Sequence, residues 1–104
     1  MSLFPDILKL AKNIPKEYRF DLGSQIIRSS FSIILNIAEG SGKFSDKELN
    51  RYFNISLGSV YETLAAIDVF RYNKIIGDKE FNDIYRRLSE ISKQLTSFKK
   101  KLKT

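Results

Sequence analysis

The chain has 104 residues, 42% of them hydrophobic and 29% charged, which suits one globular domain with a modest core rather than a disordered chain. It contains no cysteine and no histidine, which removes disulfides, thiolate chemistry, the commonest general base and the commonest transition-metal ligand. Its net charge of +6 is uneven: residues 1–20 carry +2, residues 21–77 balance, and residues 78–104 carry +4.

Four amphipathic helices are predicted along the chain. The first is short. Pro5 suits its first turn, Leu8, Ala11 and Ile14 are expected to face inward, and Pro15 breaks it near Asn13-Ile14. The second spans 21–38, with a start as early as Lys16 allowed. It is apolar nearly all round (Leu22, Ile26, Ile27, Phe31, Ile33, Ile34, Ile37), so it belongs at the centre or at a subunit contact. Ser29, Ser30 and Ser32 permit close helix approach, and Gly40 and Gly42 end the helix.

The third helix opens at Ser45-Asp46-Lys47-Glu48, a capping box, and runs to about residue 73. Leu49, Phe53, Leu57, Val60, Leu64 and Ile67 form its stripe. Tyr61, Ala65 and Tyr72 beside it, with Tyr52, Ala66 and Val69, widen the stripe enough to imply burial on more than one side. Gly58-Ser59 lies inside this band, so Gly58→Leu is expected to disrupt packing. Gly77 makes the next turn and Asp78 caps the last helix. Phe81, Ile84, Leu88, Ile91, Leu95, Phe98 and Leu102 then repeat at 3-4 spacing, an uninterrupted heptad seam. Short connections make neighbouring helices antiparallel, so the expected fold is an all-α, up-and-down four-helix bundle occupying residues 1–104 as a single domain.

Catalytic chemistry finds little support. Gly40-Ser41-Gly42-Lys43 is like the end of a phosphate-binding loop. However, Ile37 stands where a glycine is required, and Phe44 replaces the Ser or Thr after the lysine. Bundle metal sites built on Glu-x-x-His are excluded without histidine. Glu39 and Glu62, the acids in the most apolar stretches, read as polar links between helices, joined by Arg28, Gln25 or Asn36. No catalytic residue, metal or cofactor is expected. The opening residues meet Pro5 and Asp6 at once and do not read as a secretory signal. No apolar run approaches the roughly 20 residues of a membrane span, so a cytoplasmic protein without membrane contact is expected.

Three basic features remain. Lys9, Lys12, Lys16 and Arg19 run at 3-4-3 spacing along the first segment. Lys79, Arg86, Lys93 and Lys100 lie opposite the last seam, interleaved with Asp83 and Glu90, and pairs such as Lys79–Asp83 and Arg86–Glu90 would partly neutralise them. Lys99, Lys100, Lys101 and Lys103 have no acids nearby and form the best single candidate for phosphate contact.

The central residues carry a resemblance. Gln25-Ile26-Ile27-Arg28 leads into Asn36-Ile37-Ala38-Glu39-Gly40, followed by Gly58-Ser59-Val60-Tyr61-Glu62. From about Leu8 to Leu95 the chain resembles the four-helix-bundle family of 23S rRNA-intervening-sequence, or S23-type, proteins. Gln25, Arg28, Asn36, Glu39, Gly40, Gly58, Ser59 and Glu62 stand at its motif positions. The resemblance implies a ring-like homo-oligomer, a pentamer being favoured, with RNA or the ribosome as partner, and no catalytic residues. A related branch, the accessory protein of diversity-generating retroelements, implies a protein partner instead, a reverse transcriptase with its RNA. Three departures stand out. The first helix is short, Ser29-Ser30 replaces the usual Arg-Ala, and Ser56 replaces the usual Ala.

Overall fold

A computed structural model describes residues 3–103. Its four main helices are α1 (Leu3–Lys12), α2 (Ser24–Ser41), α3 (Asp46–Tyr72) and α4 (Asp78–Lys99). They form an all-α, up-and-down bundle as expected. Pro15 ends α1, because it cannot supply a helical N–H and its ring disfavours helix at the preceding residue. Chain direction then reverses through one α-helical turn (Lys16–Tyr18) and a π-helical turn (Arg19–Gly23) that feeds directly into α2.

The α2–α3 pair is the spine of the bundle, and small hydroxyl side chains set its spacing. Ser29 Oγ and Thr63 Oγ1 lie 2.8 Å apart, and Ser59 Oγ donates to Ser32 Oγ at 2.8 Å. Ser56 Oγ donates to the Ile33 carbonyl at 2.9 Å. Ser29, Ser56, Ser59 and Thr63 are all buried, so each hydroxyl needs the partner it has. Around this seam pack Ile26, Ile33, Phe53, Val60, Ile67 and Phe70, closed by Ile84 and Leu88 of α4.

The structure places several residues differently from the sequence reading. In α1 the inward residues are Leu3, Ile7, Leu10 and Ala11, followed by Ile14, while Leu8 lies at the rim, 37% exposed. Gly40 sits inside the last turn of α2 rather than ending it, and a Cβ there would meet Tyr52 Cβ at 3.0 Å. Gly58, expected to allow close approach, faces outward, and a Cβ there would meet nothing within 4 Å. Gly77 is extended (φ −85°, ψ 171°) and is itself the N-cap of α4, so Asp78 is the first helical residue. The left-handed turn position is Lys74, at φ 60°.

The capping box is half made. Ser45 Oγ accepts from the Glu48 N–H at 3.1 Å, but the Glu48 carboxylate turns to Arg51. Tyr61, Ala65, Val69 and Tyr72 are exposed, so within one chain α3 is buried on one side only. Phe98, on the expected seam of α4, is half-exposed, its ring edge-on to Phe53 with centroids 5.4 Å apart.

Because α1 is short, it covers only the first half of α2. Its Phe4 ring rests on Phe31, with centroids 5.4 Å apart. Beyond that point Ile37, Phe53, Ile91, Leu95 and Phe98 line an open groove. Arg87 locks α1 to α4 by pairing with Asp6 and Asp83, each at 2.7 Å. Burial alone would lower the Arg87 pKa, but the hydrogen bonds that Arg87 donates to Asp6 and Asp83, together with their charges, outweigh it and raise it. No helix among the described residues is long and apolar enough to cross a membrane.

Candidate nucleic-acid interface

The antiparallel topology gathers the end of α2, the start of α3 and the end of α4 at one end of the bundle. Three contacts define this loop end. Gly40 packs against Leu49, Tyr52 and Phe53. Phe53 meets Phe98. The Lys103 backbone N–H donates to Asp46 Oδ2 at 2.9 Å, folding the segment after α4 back onto the start of α3.

Lys99, Lys100, Lys101 and Lys103 therefore join Lys43, Lys47 and Arg51, which the sequence reading did not connect with them. The carboxylates here are already engaged: Glu39 with Lys43 at 3.8 Å, Glu48 with Arg51 at 3.2 Å, and Asp46 with the Lys103 N–H. The hydrogen bond with Glu48, and then its charge, raise the Arg51 pKa. Among the described residues, Lys47 and the four lysines from 99 to 103 have no ion-pair partner. Both Lys43 and Arg51 lie over the Tyr52 ring, at 5.2 and 4.5 Å from its centroid.

The second basic set lies at the other end. α1 runs antiparallel to α2, so Lys12 and Arg19 flank Gly23 at the start of α2. The 18 residues of α2 separate this end from the loop end by about 27 Å. Lys9, Lys12, Lys16 and Arg19 do not form one stripe. Lys9 faces Glu80 and Asp83 across a shallow depression, and Arg19 Nε donates to the Ile14 carbonyl at 3.1 Å. On α4 the expected Lys79–Asp83 pair is absent among the described residues. Asp83 binds Arg86 at 3.2 Å and Arg87 at 2.7 Å, while Arg86 reaches Glu90 at 3.5 Å as anticipated.

The motif residues also divide. Asn36 Nδ2 donates to the Ser32 carbonyl at 2.8 Å, and Ser59 joins Ser32, so these two belong to the α2–α3 seam. Glu39 and Glu62 are exposed and do not link helices: Glu39 pairs along its own segment with Lys43. Glu62 and Gln25 line one shallow groove with Ser29, Ala65 and Val69, and Arg28 is exposed on the outer face of α2. Among the described residues no group of three or more acidic side chains gathers as a metal site.

Comparison with known proteins agrees with this architecture. The family described as 23S rRNA-intervening sequence protein matches residues 1–97. No curated protein matches the chain. A crystal structure of a protein of unknown function from the S23 ribosomal protein family of Bacteroides thetaiotaomicron superposes with a TM-score of 0.75 at 26% identity, covering 94% of this chain and 98% of the other. With the family matching nearly the whole chain and its helices laid out as in that structure, this chain belongs to the 23S rRNA-intervening sequence protein family.

Proposed function

We propose that the protein is a non-enzymatic, homo-oligomeric bundle that binds RNA or a ribonucleoprotein in the cytoplasm through its basic loop end. The observation that carries this reading is the cluster of lysines without ion-pair partners at that end. A group of cations held together without counter-charge creates a local positive field, and releasing counterions from nucleic acid is what such a field does best. The family's association with rRNA-intervening sequences favours the same partner.

Assembly multiplies the effect. On the outer face of α2, Phe31 and Leu35 remain 44% and 47% exposed, and a second copy is the simplest cover for such a face. Five copies would carry about +30 in all, and repeated weak contacts add through avidity.

The test is binding of the purified protein to an rRNA fragment, with duplex DNA as control, across a salt series. Replacing Lys99, Lys100, Lys101 and Lys103 by Ala should weaken binding and reduce the slope of log affinity against log salt by about 3. An unchanged slope removes this end from the reading. A second reading, an adaptor that docks a protein such as a reverse transcriptase, draws support from exposed Ile55, Tyr61 and Val69 along α3. A reverse-transcriptase gene beside this one, with no RNA binding by the isolated protein, would favour it.

A further inference from the structure

Phe44 is the most exposed large apolar residue described, at 107% of its reference accessibility. It stands in the loop between α2 and α3, directly after Lys43 and just before the Ser45 cap of α3. A ring in that position contributes nothing to the core. Its surroundings are not those of a protein-docking patch either, because the loop end offers seven cations against three carboxylates, each of the three already bonded within the chain. The opposite end also exposes aromatic rings, Phe20 at 83% and Tyr72 at 86%. There, however, the six cations Lys12, Lys16, Arg19, Arg71, Lys74 and Lys79 are nearly balanced by the five carboxylates Glu17, Asp21, Asp68, Asp78 and Glu80, with Asp68 paired to Arg71 at 3.3 Å, so the field is weaker.

We propose that the loop end is a site for unpaired nucleotides, in which Phe44 stacks on a base while Lys47 and the lysines at and after the end of α4 hold the flanking phosphates. The inference rests on the RNA reading above and narrows it from RNA in general to single-stranded segments. The physical basis is geometric. Bases in a duplex hide their faces against one another, whereas an unpaired base can place its face on an aromatic ring. A fully exposed ring framed by lysines without ion-pair partners provides both the stacking platform and the backbone contacts such a strand needs. The fold of the Lys103 backbone onto Asp46 matters here, because it brings the lysines after α4 to the start of α3, two residues from Phe44.

The chain contains no tryptophan, so Phe44→Trp places a single indole at the proposed stacking position. Unlabelled oligouridine of about 12 nucleotides is titrated into this variant. In parallel, anisotropy of a labelled copy of the same strand, and of a duplex RNA of the same length, is measured with wild-type protein and Phe44→Ala. The expected results are saturable quenching of the Phe44→Trp variant's indole emission by the single strand, and at least about 5-fold weaker single-strand binding by Phe44→Ala. Duplex affinity should be little changed. If oligouridine binds by anisotropy while the indole emission stays constant and Phe44→Ala binds as wild type, this inference fails and the RNA reading survives. If neither RNA binds, the RNA reading itself fails and takes the inference with it. If Phe44→Ala alters the particle size in light scattering, the ring belongs to a subunit contact and the proposal is overturned. Because the Phe44 side chain is fully exposed, none of these variants threatens the fold.

Discussion

The two helical glycines at motif positions should respond to alanine in opposite directions. At Gly40 an added Cβ would lie 3.0 Å from Tyr52 Cβ, 3.1 Å from Leu49 Cδ1 and 3.4 Å from Phe53 Cε1. Carbon atoms prefer about 3.5–4.0 Å. The closest neighbour is a Cβ fixed to the α3 backbone, so it cannot rotate away, and relief requires α2 and α3 to separate by several tenths of an ångström. Overpacking of this kind costs about 1–3 kcal/mol, against which the better helix propensity of alanine returns about 0.5–1 kcal/mol. Gly40→Ala should therefore destabilise by about 1 kcal/mol. At Gly58 an added Cβ would meet nothing within 4 Å beyond its own helix backbone, so only the propensity gain remains, and Gly58→Ala should stabilise by about 0.5–1 kcal/mol. The variants should differ by about 2 kcal/mol, or roughly 10 °C in Tm for a domain of this size. Urea and thermal unfolding followed by far-UV circular dichroism would read this directly, at equal protein concentration. A Gly40→Ala protein as stable as wild type would refute the packing argument. A destabilised Gly58→Ala protein would mean that another surface closes on α3 in solution.

Further outcomes follow from named contacts. Lys74→Gly should stabilise by up to about 1 kcal/mol in the same unfolding assay, because a lysine held at φ 60° carries a penalty that glycine avoids. Ser45→Ala should cost about 1 kcal/mol by removing the acceptor of the Glu48 N–H. Asp6→Asn should cost about 1 kcal/mol and hasten proteolysis within residues 3–14, because it loosens the ion pair that ties α1 to α4. Leu35→Glu should leave the monomer fold intact but reduce particle mass in sedimentation, since Leu35 is 47% exposed in the single chain.

The helices were legible because buried side chains recur with helical period, as along Phe81, Ile84, Leu88 and Leu95. What could not be read was which of two neighbouring stripes turns inward. Leu8, Ala11 and Ile14 fit helical spacing as well as Ile7, Ala11 and Ile14 do, and only the position of α2 selects Ile7. Close approach at Ser29 and Ser30 of α2 was legible from their small size, whereas Ser56 and Thr63 look like surface residues in sequence. Their burial depends on the facing helix, and the hint lay in their spacing along α3 beside the apolar stripe. The basic site was half visible. Lys99, Lys100, Lys101 and Lys103 stand out as a run, whereas Lys43, Lys47 and Arg51 join them only once antiparallel topology brings the α2–α3 loop beside the end of α4. Phe44 entered the sequence reading only as a defect in a phosphate-binding loop. Its setting between a lysine and a helix cap was the available sign of an exposed ring.

The two kinds of surface on this bundle point in different directions, and that constrains assembly. The partly exposed apolar side chains Phe31, Leu35, Ile55 and Val69 lie along the flanks of α2 and α3, whereas the uncompensated lysines lie at one tip of a body 45 Å long and 23 by 19 Å across. Copies joined flank to flank leave the tips open. If they join by rotation about an axis along the bundle, every loop end falls on the same face, and the lysine clusters combine into one broad basic surface that a single strand could cross from copy to copy. If they join as a two-fold pair with bundles head to tail, the clusters face opposite ways and avidity for one RNA is lost. Cyclic assembly therefore predicts that Leu35→Glu, although far from the lysines, weakens RNA binding well beyond the loss of any single contact. Head-to-tail pairing predicts no such coupling. Measuring RNA affinity of Leu35→Glu beside wild type at one salt concentration separates the two geometries, and equal affinities would exclude the shared basic face.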